Sequence, residues 1–150
     1  MKAPAGWRFL DSDDMKTLDS HFEDDFALLH EDYPRMIYVT GALLKSDLQS
    51  KENDLHQMVS NAPKDFRVVK DTRAAIGSFD IYDLWWENSV GKENFFEGVM
   101  LVYFPRDGIT LYVNQIPRDD YEYVHKSIEE AILSIDFNNY PSRSNMEGPD

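Results

Sequence analysis

The chain has 150 residues, of which 42% are hydrophobic, and it contains three Trp, eight Tyr and nine Phe. That length favours a single domain, and that aromatic content excludes a disordered chain, which has too little apolar surface to form a core. The chain contains no cysteine, which excludes disulfides, a thiolate nucleophile and a thiolate metal site. The net charge of −13 argues against nucleic acid and anionic membranes as partners, because binding to either relies on Lys and Arg.

The N-terminal third combines a predicted helix with the densest acidic stretch of the chain. Asp11 or Ser12 can cap a helix that we expect to extend to Glu23, because apolar residues then recur at three- and four-residue steps. Nine acidic residues fall within positions 11–32, and Lys16 alone opposes them. A solvated helix face is one interpretation. The other is a docking surface for a basic partner, for which the candidate residues are Asp11, Asp13, Asp14, Glu23, Asp24 and Asp25.

The middle of the chain predicts short strands around one helix. Phe26–His30 fits either a helix or a strand, because a short apolar run does not decide its own type. Met36–Leu44 predicts a strand, and Phe66–Lys70 predicts another. Between them, Ser50 can cap a helix that ends at Asn61, just before a proline. Leu55, Met58 and Val59 give this helix a narrow apolar face.

The second half predicts three strands, which are rich in aromatic and β-branched residues. Gly77 interrupts the first of them and predicts a bulge or a bend there. The polar residues Asn88–Asn94 predict a loop. The sequence Pro-Arg-Asp-Gly at 105–108 is a hairpin signal, since proline presets the first corner and glycine accepts a positive φ. The three predicted strands are Ala75–Glu87, Phe95–Phe104 and Ile109–Ile116.

A capped amphipathic helix closes the predicted domain. Asp119 or Asp120 stands at its N-terminus, and its buried stripe is formed by Tyr121, Val124, Ile128, Ile132 and Ile135. The polar residues 138–150 predict a flexible tail, so that 1–137 forms the single globular domain. The element order, with short links between neighbouring strands, predicts the α+β class with a mostly antiparallel sheet flanked by helices.

The sequence from Arg67 to Phe137 resembles the second half of the Mog1/PsbP/DcrB-like fold, an α/β/α sandwich around an antiparallel sheet. The resemblance is carried by the strand "AAIGSFDIYDLWWEN", the strand pair "FFEGVMLVYF" and "GITLYVNQI", and the closing helix "YEYVHKSIEEAILSIDF". Some bacterial immunity proteins, which neutralise a toxin delivered by type VI secretion or a similar system, are similar to this pattern. These domains share no catalytic set, so the resemblance implies no catalytic residue.

Trp85 and Trp86 are adjacent on a predicted strand, so their side chains point to opposite faces of the sheet. One interpretation is that a helix on each face buries both. The other is that one of the two lies at the surface, where tryptophan is a frequent interface anchor. We therefore add Trp85 and Trp86 to the candidate partner-binding residues.

The four histidines do not define a catalytic or metal site. His125 and Glu129 lie four residues apart, as do His21 and Asp25, but each pair lacks a third ligand, and a solvated helix face explains both. No nucleophile motif and no glycine-rich phosphate loop occurs. We predict no catalytic residue, no metal and no cofactor. A histidine among His21, His56 and His125 that converged with carboxylates in a cleft would indicate an enzyme instead.

These observations together predict a non-enzymatic acidic binding protein, most concretely an immunity protein that binds and neutralises a basic cognate toxin. The alternative is a small-molecule or lipid-binding module with an aromatic-lined pocket between sheet and helix, next to Trp85 or Trp86. The self-repelling charge favours a monomer or a weak dimer. The lack of cysteine and of a visible signal peptide predicts the cytoplasm, or the periplasm if a signal peptide has been removed.

Overall fold

The computed structural model describes residues 3–10, 26–30, 36–39, 43–90 and 93–135. Within these ranges the chain forms eight strands, two α-helices and one 3₁₀ turn. The strands are β1 (Trp7–Leu10), β2 (Phe26–His30), β3 (Met36–Val39), β4 (Leu43–Leu44), β5 (Arg67–Ile76), β6 (Phe79–Val90), β7 (Glu93–Tyr103) and β8 (Asp107–Pro117). The helices are α1 (Lys45–Ser60) and α2 (Tyr121–Leu133), and the 3₁₀ turn Arg118–Asp120 leads into α2.

The strands form one antiparallel sheet in the order β1-β2-β3-β8-β7-β6-β5, and β4 also pairs with β8. Two meanders make up this sheet: β1 to β3 on one side and β5 to β8 on the other, joined where β3 pairs with β8. The prediction of the α+β class with a mostly antiparallel sheet is therefore confirmed. Phe26–His30, which the sequence left open, is a strand.

Helix α1 begins at Lys45, five residues earlier than the predicted Ser50. No side chain caps it; the Lys45 N–H instead donates to the Arg106 carbonyl oxygen at 3.2 Å. Leu48 is fully buried in the first turn and lies over Gly108, where an added Cβ would come within 2.4 Å of its Cδ1. The start of α1 is thus set by the strand turn beneath it rather than by its own sequence.

The predicted strands Phe66–Lys70 and Ala75–Glu87 are divided differently in the structure. The first strand continues to Ile76, and a tight turn at Gly77 and Ser78 reverses the chain into β6. Gly77 adopts φ +61°, the left-handed conformation that favours glycine. The run that the sequence predicted as one strand therefore contains a hairpin corner.

The predicted polar loop Asn88–Asn94 is mostly strand. Residues Ser89 and Asn94 are paired partners, as are Val90 and Glu93. Pairing across a long hairpin continues here in spite of the polar composition, because backbone hydrogen bonds depend on the neighbouring strand and not on side-chain polarity.

Helix α2 covers one face of the sheet, and the predicted stripe is confirmed except at Tyr121, which is only partly buried: Val124, Ile128 and Ile132 are at most 1% exposed, and Ile135 is 7% exposed. They pack on β6, β7 and β8 side chains that include Trp85, Met100 and Leu111. Each fully buried aliphatic side chain of this kind contributes roughly 1.5–3 kcal/mol. Asp120 occupies the N-cap position of α2, but it makes no side-chain cap hydrogen bond.

Helix α1 covers the other face with a smaller core, in which the buried side chains are Leu48, Tyr82, Leu84, Val99, Leu101 and Tyr103. The predicted apolar face of α1 is only partly correct. Leu55 and Val59 pack against this core, whereas Met58 is 40% exposed and Leu48, missed by the prediction, is the buried anchor. The helix predicted at Asp11–Glu23 and the tail predicted at 138–150 lie outside the described residues.

Candidate functional site

The predicted acidic docking residues Asp11, Asp13, Asp14, Glu23, Asp24 and Asp25 all lie outside the described residues. The two remaining candidates, Trp85 and Trp86, lie on opposite faces of the sheet as predicted. The functional chemistry that the structure does describe falls into three places: a buried network under α2, a polar seam beside α1, and the outer face of α2.

Trp85 is fully buried and so contributes to the core rather than to a contact surface. Its ring lies 5.0 Å from that of Tyr121 and 5.9 Å from that of His125. Trp86 is half-buried on the α1 face, where it packs beside Phe66 and donates its Nε1–H to Glu97 at 3.0 Å. A helix on each face covers the pair, which corrects Trp85 as a surface anchor and leaves Trp86 partly accessible.

The buried network centres on His125, which the sequence assigned to a solvated helix face. That assignment is wrong, since His125 is only 8% exposed. Its Nε2 lies 2.7 Å from Asp83 Oδ2, and its Nδ1 lies 2.9 Å from Glu129 Oε1. Both ring nitrogens can donate to these carboxylates at once only when the imidazole is doubly protonated. The contact to Asp83 joins α2 to β6 across 42 positions of sequence.

Asp83 is 2% exposed, and each of its carboxylate oxygens has a partner. Trp85 donates its Nε1–H to Oδ1 at 2.6 Å, and Lys70 Nζ lies 3.0 Å from Oδ2. Burial opposes ionisation of Asp83, but the hydrogen bonds and charges of His125 and Lys70 outweigh it and lower the pKa of this carboxyl. Asp83 therefore stays an anion, held between His125 and Lys70.

Tyr121 lies beside the same network, and the negative charges of the network affect its pKa. Burial, together with the negative charges of Asp83 and Glu129, raises the pKa of Tyr121 to about 12. The Tyr121 hydroxyl is therefore neutral at physiological pH. His125 thus meets part of the condition set for an enzyme, convergence with carboxylates, but its two nitrogens are both occupied by protein groups.

The second place is the α1 seam, which we define as the line where Lys45, Gln49, Glu52 and His56 of α1 face Arg73, Ser78, Asp80 and Tyr82 of the β5–β6 hairpin. The helical residues recur at three- and four-residue steps and so share one side of α1. The carboxylate of Glu52 lies at the centre of this seam. It contacts Arg73, accepts from the Tyr103 hydroxyl at 2.9 Å and lies 3.3 Å from His56 Nε2.

Glu52 acquires a lowered pKa in this setting. Burial opposes the shift, and the Tyr103 hydrogen bond together with the Arg73 hydrogen bond and charge overcomes it. On the other side of Glu52, the His56 ring lies 4.8 Å from that of Tyr82, whose hydroxyl donates to Asp71 at 2.8 Å. Protein contacts therefore close this half of the seam.

The other half of the seam is open and forms a groove with a volume of about 400 Å³. The Arg73 guanidinium marks the boundary between the closed half and the groove. Within the described chain, no side-chain hydrogen bond or ion pair holds Lys45, Gln49, Ser78 or Asp80. The groove is lined by Lys45, Gln49, Arg73, Ser78, Asp80, Tyr103, Phe104 and Pro105. It lies between sheet and helix, as the alternative function predicted, but it is mainly polar and neither Trp85 nor Trp86 lines it.

The third place is the outer face of α2, which we define by Glu122, Tyr123, Lys126, Glu130 and Leu133. All five are exposed, and the apolar pair stands out: Tyr123 is 46% exposed and Leu133 is 59% exposed. The face also adjoins exposed Asp119 in the 3₁₀ turn. Acidic side chains beside two accessible apolar groups are a surface of the kind that protein partners use.

In the described part of the chain, no group of three or more His, Cys, Asp or Glu side chains could hold a metal ion. No helix among those residues is long and apolar enough to cross a membrane.

Comparison with known proteins gives a likeness of fold. No protein-family model and no curated protein sequence matches the chain. The crystal structure of LpqN, involved in cell envelope biogenesis of Mycobacterium tuberculosis, is similar with a TM-score of 0.56 and 15% sequence identity, over 85% of this chain and 76% of that one. An identity this low supports a distant α+β fold alone. The resemblance to Mog1/PsbP/DcrB-like and immunity proteins stays a prediction.

Proposed function

We propose that this chain is a non-enzymatic protein-binding module whose acidic surface docks a basic partner, most concretely as an immunity protein that neutralises a cognate toxin. The partner is bound through charge complementarity, and the toxin is masked rather than degraded. We place this complex in the cytoplasm, in line with the absence of cysteine from the sequence.

The outer face of α2 is the observation that carries the proposal. Tyr123, near the start of α2, and Leu133, at its end, are exposed there on the same side of the helix as Glu122, Lys126 and Glu130. Interfaces derive most of their affinity from a few apolar or aromatic anchors, while surrounding charges steer the encounter and set its orientation. A basic surface with a shallow apolar centre is the complement of this face.

The charge distribution of the whole sequence supports the same partner. The acidic residues of positions 11–32, nine against Lys16, add to a net charge of −13. A protein field of this sign accelerates encounter with a basic protein and repels acidic ones. Within that stretch, charge reversal at two adjacent acidic pairs changes the electrostatic field of the protein with few substitutions. These pairs are Asp13 with Asp14 and Asp24 with Asp25.

The occupancy of the buried network supports a non-enzymatic role. His125 is the histidine that the structure places deepest among carboxylates, and Asp83 and Glu129 take both of its nitrogens. A general base needs a free nitrogen within reach of a substrate proton. In its present geometry the network instead fastens α2 to the sheet.

The experiment uses the purified products of the genes adjacent to the one that encodes this chain, with binding rates measured against each. One variant reverses Asp13, Asp14, Asp24 and Asp25 to Lys, and a second carries Glu122→Lys with Glu130→Lys. The matched control carries Asp54→Lys with Asp65→Lys, two exposed acids on the other side of the molecule. It changes the net charge by the same amount as the second variant.

We expect the two test variants to slow association about tenfold or more at low salt, with nearly unchanged melting temperatures, and the control to slow it much less. Addition of the wild-type protein should abolish the toxic activity of the bound partner. The proposal fails if no adjacent product binds, if toxicity is unchanged on binding, or if the control slows association as much as the α2-face variant.

A further inference from the structure

The α1 seam contains a gap in an otherwise paired row of side chains. Glu52 and His56 meet Arg73 and Tyr82 across the seam, but Gln49 and Lys45, one and two turns from Glu52 towards the start of α1, meet no partner side chain. Ser78 and Asp80 face them from the hairpin, equally without partners in the described chain. The gap is the groove of about 400 Å³.

Two opposite charges border this groove without pairing with each other. Lys45 carries an ammonium at the start of α1, and Asp80 carries a carboxylate on β6. Arg73 lies near both, with its charge shared with Glu52. A molecule that bears one anionic and one cationic group can satisfy Lys45 and Asp80 at once, which a singly charged molecule cannot do.

The rest of the lining fits a small polar molecule with an apolar end. Asp80 and Tyr103 are paired neighbours on β6 and β7, so they share one face of the sheet and fix the floor of the groove. Pro105 provides exposed ring surface beside it, whereas Tyr103 and Phe104 are only 7% and 4% exposed, and Gln49 and Ser78 provide neutral hydrogen-bonding groups. The volume lies within the range of about 300–1,000 Å³ usual for small-ligand sites.

We propose that this groove binds a small zwitterion of the amino-acid class with a small apolar side chain. The ligand carboxylate faces Lys45 and Arg73, the ligand ammonium faces Asp80, and its side chain lies against Pro105. This site is separate from the outer face of α2 and from the predicted acidic docking residues, so it does not depend on the proposed protein partner.

The test uses L-alanine as the probe, with calorimetry and amide chemical shifts as the readouts. N-acetyl-L-alanine lacks the ammonium, and L-alaninamide lacks the carboxylate, so the two analogues remove one charge each. We expect saturable binding of the amino acid and binding at least about tenfold weaker for each analogue, the effect of losing one charge-assisted hydrogen bond. Shifts should be confined to residues of the groove.

Two variants assign each charge to its partner. Lys45→Gln should weaken binding of the amino acid about tenfold and remove the difference between it and its amide. Asp80→Asn should do the same for the difference between the amino acid and its N-acetyl form. The controls Lys64→Gln and Asp54→Asn change exposed residues that do not line the groove, and both should bind like the wild type.

The proposal is overturned if L-alanine shows no saturable binding, or if both analogues bind as well as the amino acid. It is also overturned if Lys45→Gln and Asp80→Asn bind like the wild type, which would place the ligand elsewhere. Both residues are exposed, so the variants should keep the wild-type fold, and a circular dichroism spectrum verifies this.

Discussion

The two faces of the sheet differ in how completely their polar groups are used. Under α2, Asp83 is enclosed by His125, Lys70 and Trp85, and no carboxylate oxygen of this residue is left without a partner. Beside α1, the polar row is closed around Glu52 and open between Lys45 and Asp80. One strand, β6, supplies residues to both faces because successive side chains point in opposite directions.

This difference follows from how the two helices lie on the sheet. Helix α2 brings a continuous apolar stripe onto the larger core, so the polar groups it covers must pair with each other or remain buried and unsatisfied. Helix α1 packs over β7 and β8 through Leu48 and leaves the β5–β6 hairpin beside it partly exposed. A fully covered face favours structure, whereas a partly covered one leaves room for a ligand.

The largest effect on stability should come from replacing Trp85 and Trp86, whose side chains lie on opposite faces of the sheet. Trp85→Ala should destabilise the protein by about 3–5 kcal/mol, because it removes a fully buried indole and the donor to Asp83. Trp86→Ala should cost roughly 1–2 kcal/mol, since that ring is half-buried. Urea unfolding measures both, and equal losses would contradict the difference between the faces.

Each face of the sheet contains one glycine whose replacement by alanine should show how closely that face is packed. A Cβ added at Gly98 would lie 2.4 Å from the Trp85 ring, and one at Gly108 would lie 2.1 Å from the Val102 carbonyl oxygen. Gly98→Ala and Gly108→Ala should each destabilise by about 1–3 kcal/mol, with the larger loss at Gly108, where backbone must move. Thermal unfolding compares them, and a neutral Gly108→Ala would disprove the close contact between α1 and β8.

A smaller effect should appear in the pH dependence of stability. Because the pKa of Asp83 is lowered from its ordinary value of 3.8, its contribution is fully present above that pH and is lost as the pH falls below it. Glu52, with an ordinary value of 4.5, acts in the same direction. With Asp83→Asn, the free energy of unfolding should fall less steeply as the pH is lowered from about 5. The exposed Asp54→Asn should leave this pH dependence unchanged.

Much of the fold could be predicted from local sequence. The stripe Val124, Ile128 and Ile132 and the alternation of Ile109, Leu111 and Val113 place both elements against one core, and the structure buries all six residues. The hairpin glycine at position 77 was visible, but whether it made a bulge or a corner depended on β5 pairing with β6. That pairing is local, from Ile76 with Phe79 to Arg67 with Glu87, but side-chain composition does not show where the strand reverses.

The elements that the sequence misplaced were fixed by distant contacts. The start of α1 depends on the Arg106 carbonyl and on Leu48 over Gly108, and no residue before Lys45 signals a cap. The candidate sites were hidden for the same reason. The spacing of His125 and Glu129 was visible, but Asp83, which completes the network, lies 42 positions away. The groove likewise unites residues of α1, β6 and the β5–β6 turn.

The most direct test of the difference between the two faces is the free energy of unfolding of Asp83→Asn and Asp80→Asn, measured by urea titration at neutral pH. Both variants make the same chemical change on one strand, three positions apart and on opposite faces. We predict a loss of about 3 kcal/mol for Asp83→Asn, because His125 and Lys70 then lose their buried counter-charge, and a change within about 0.5 kcal/mol for exposed Asp80→Asn. Equal losses, or a larger loss at Asp80, would contradict a closed structural face under α2 and an open groove beside α1.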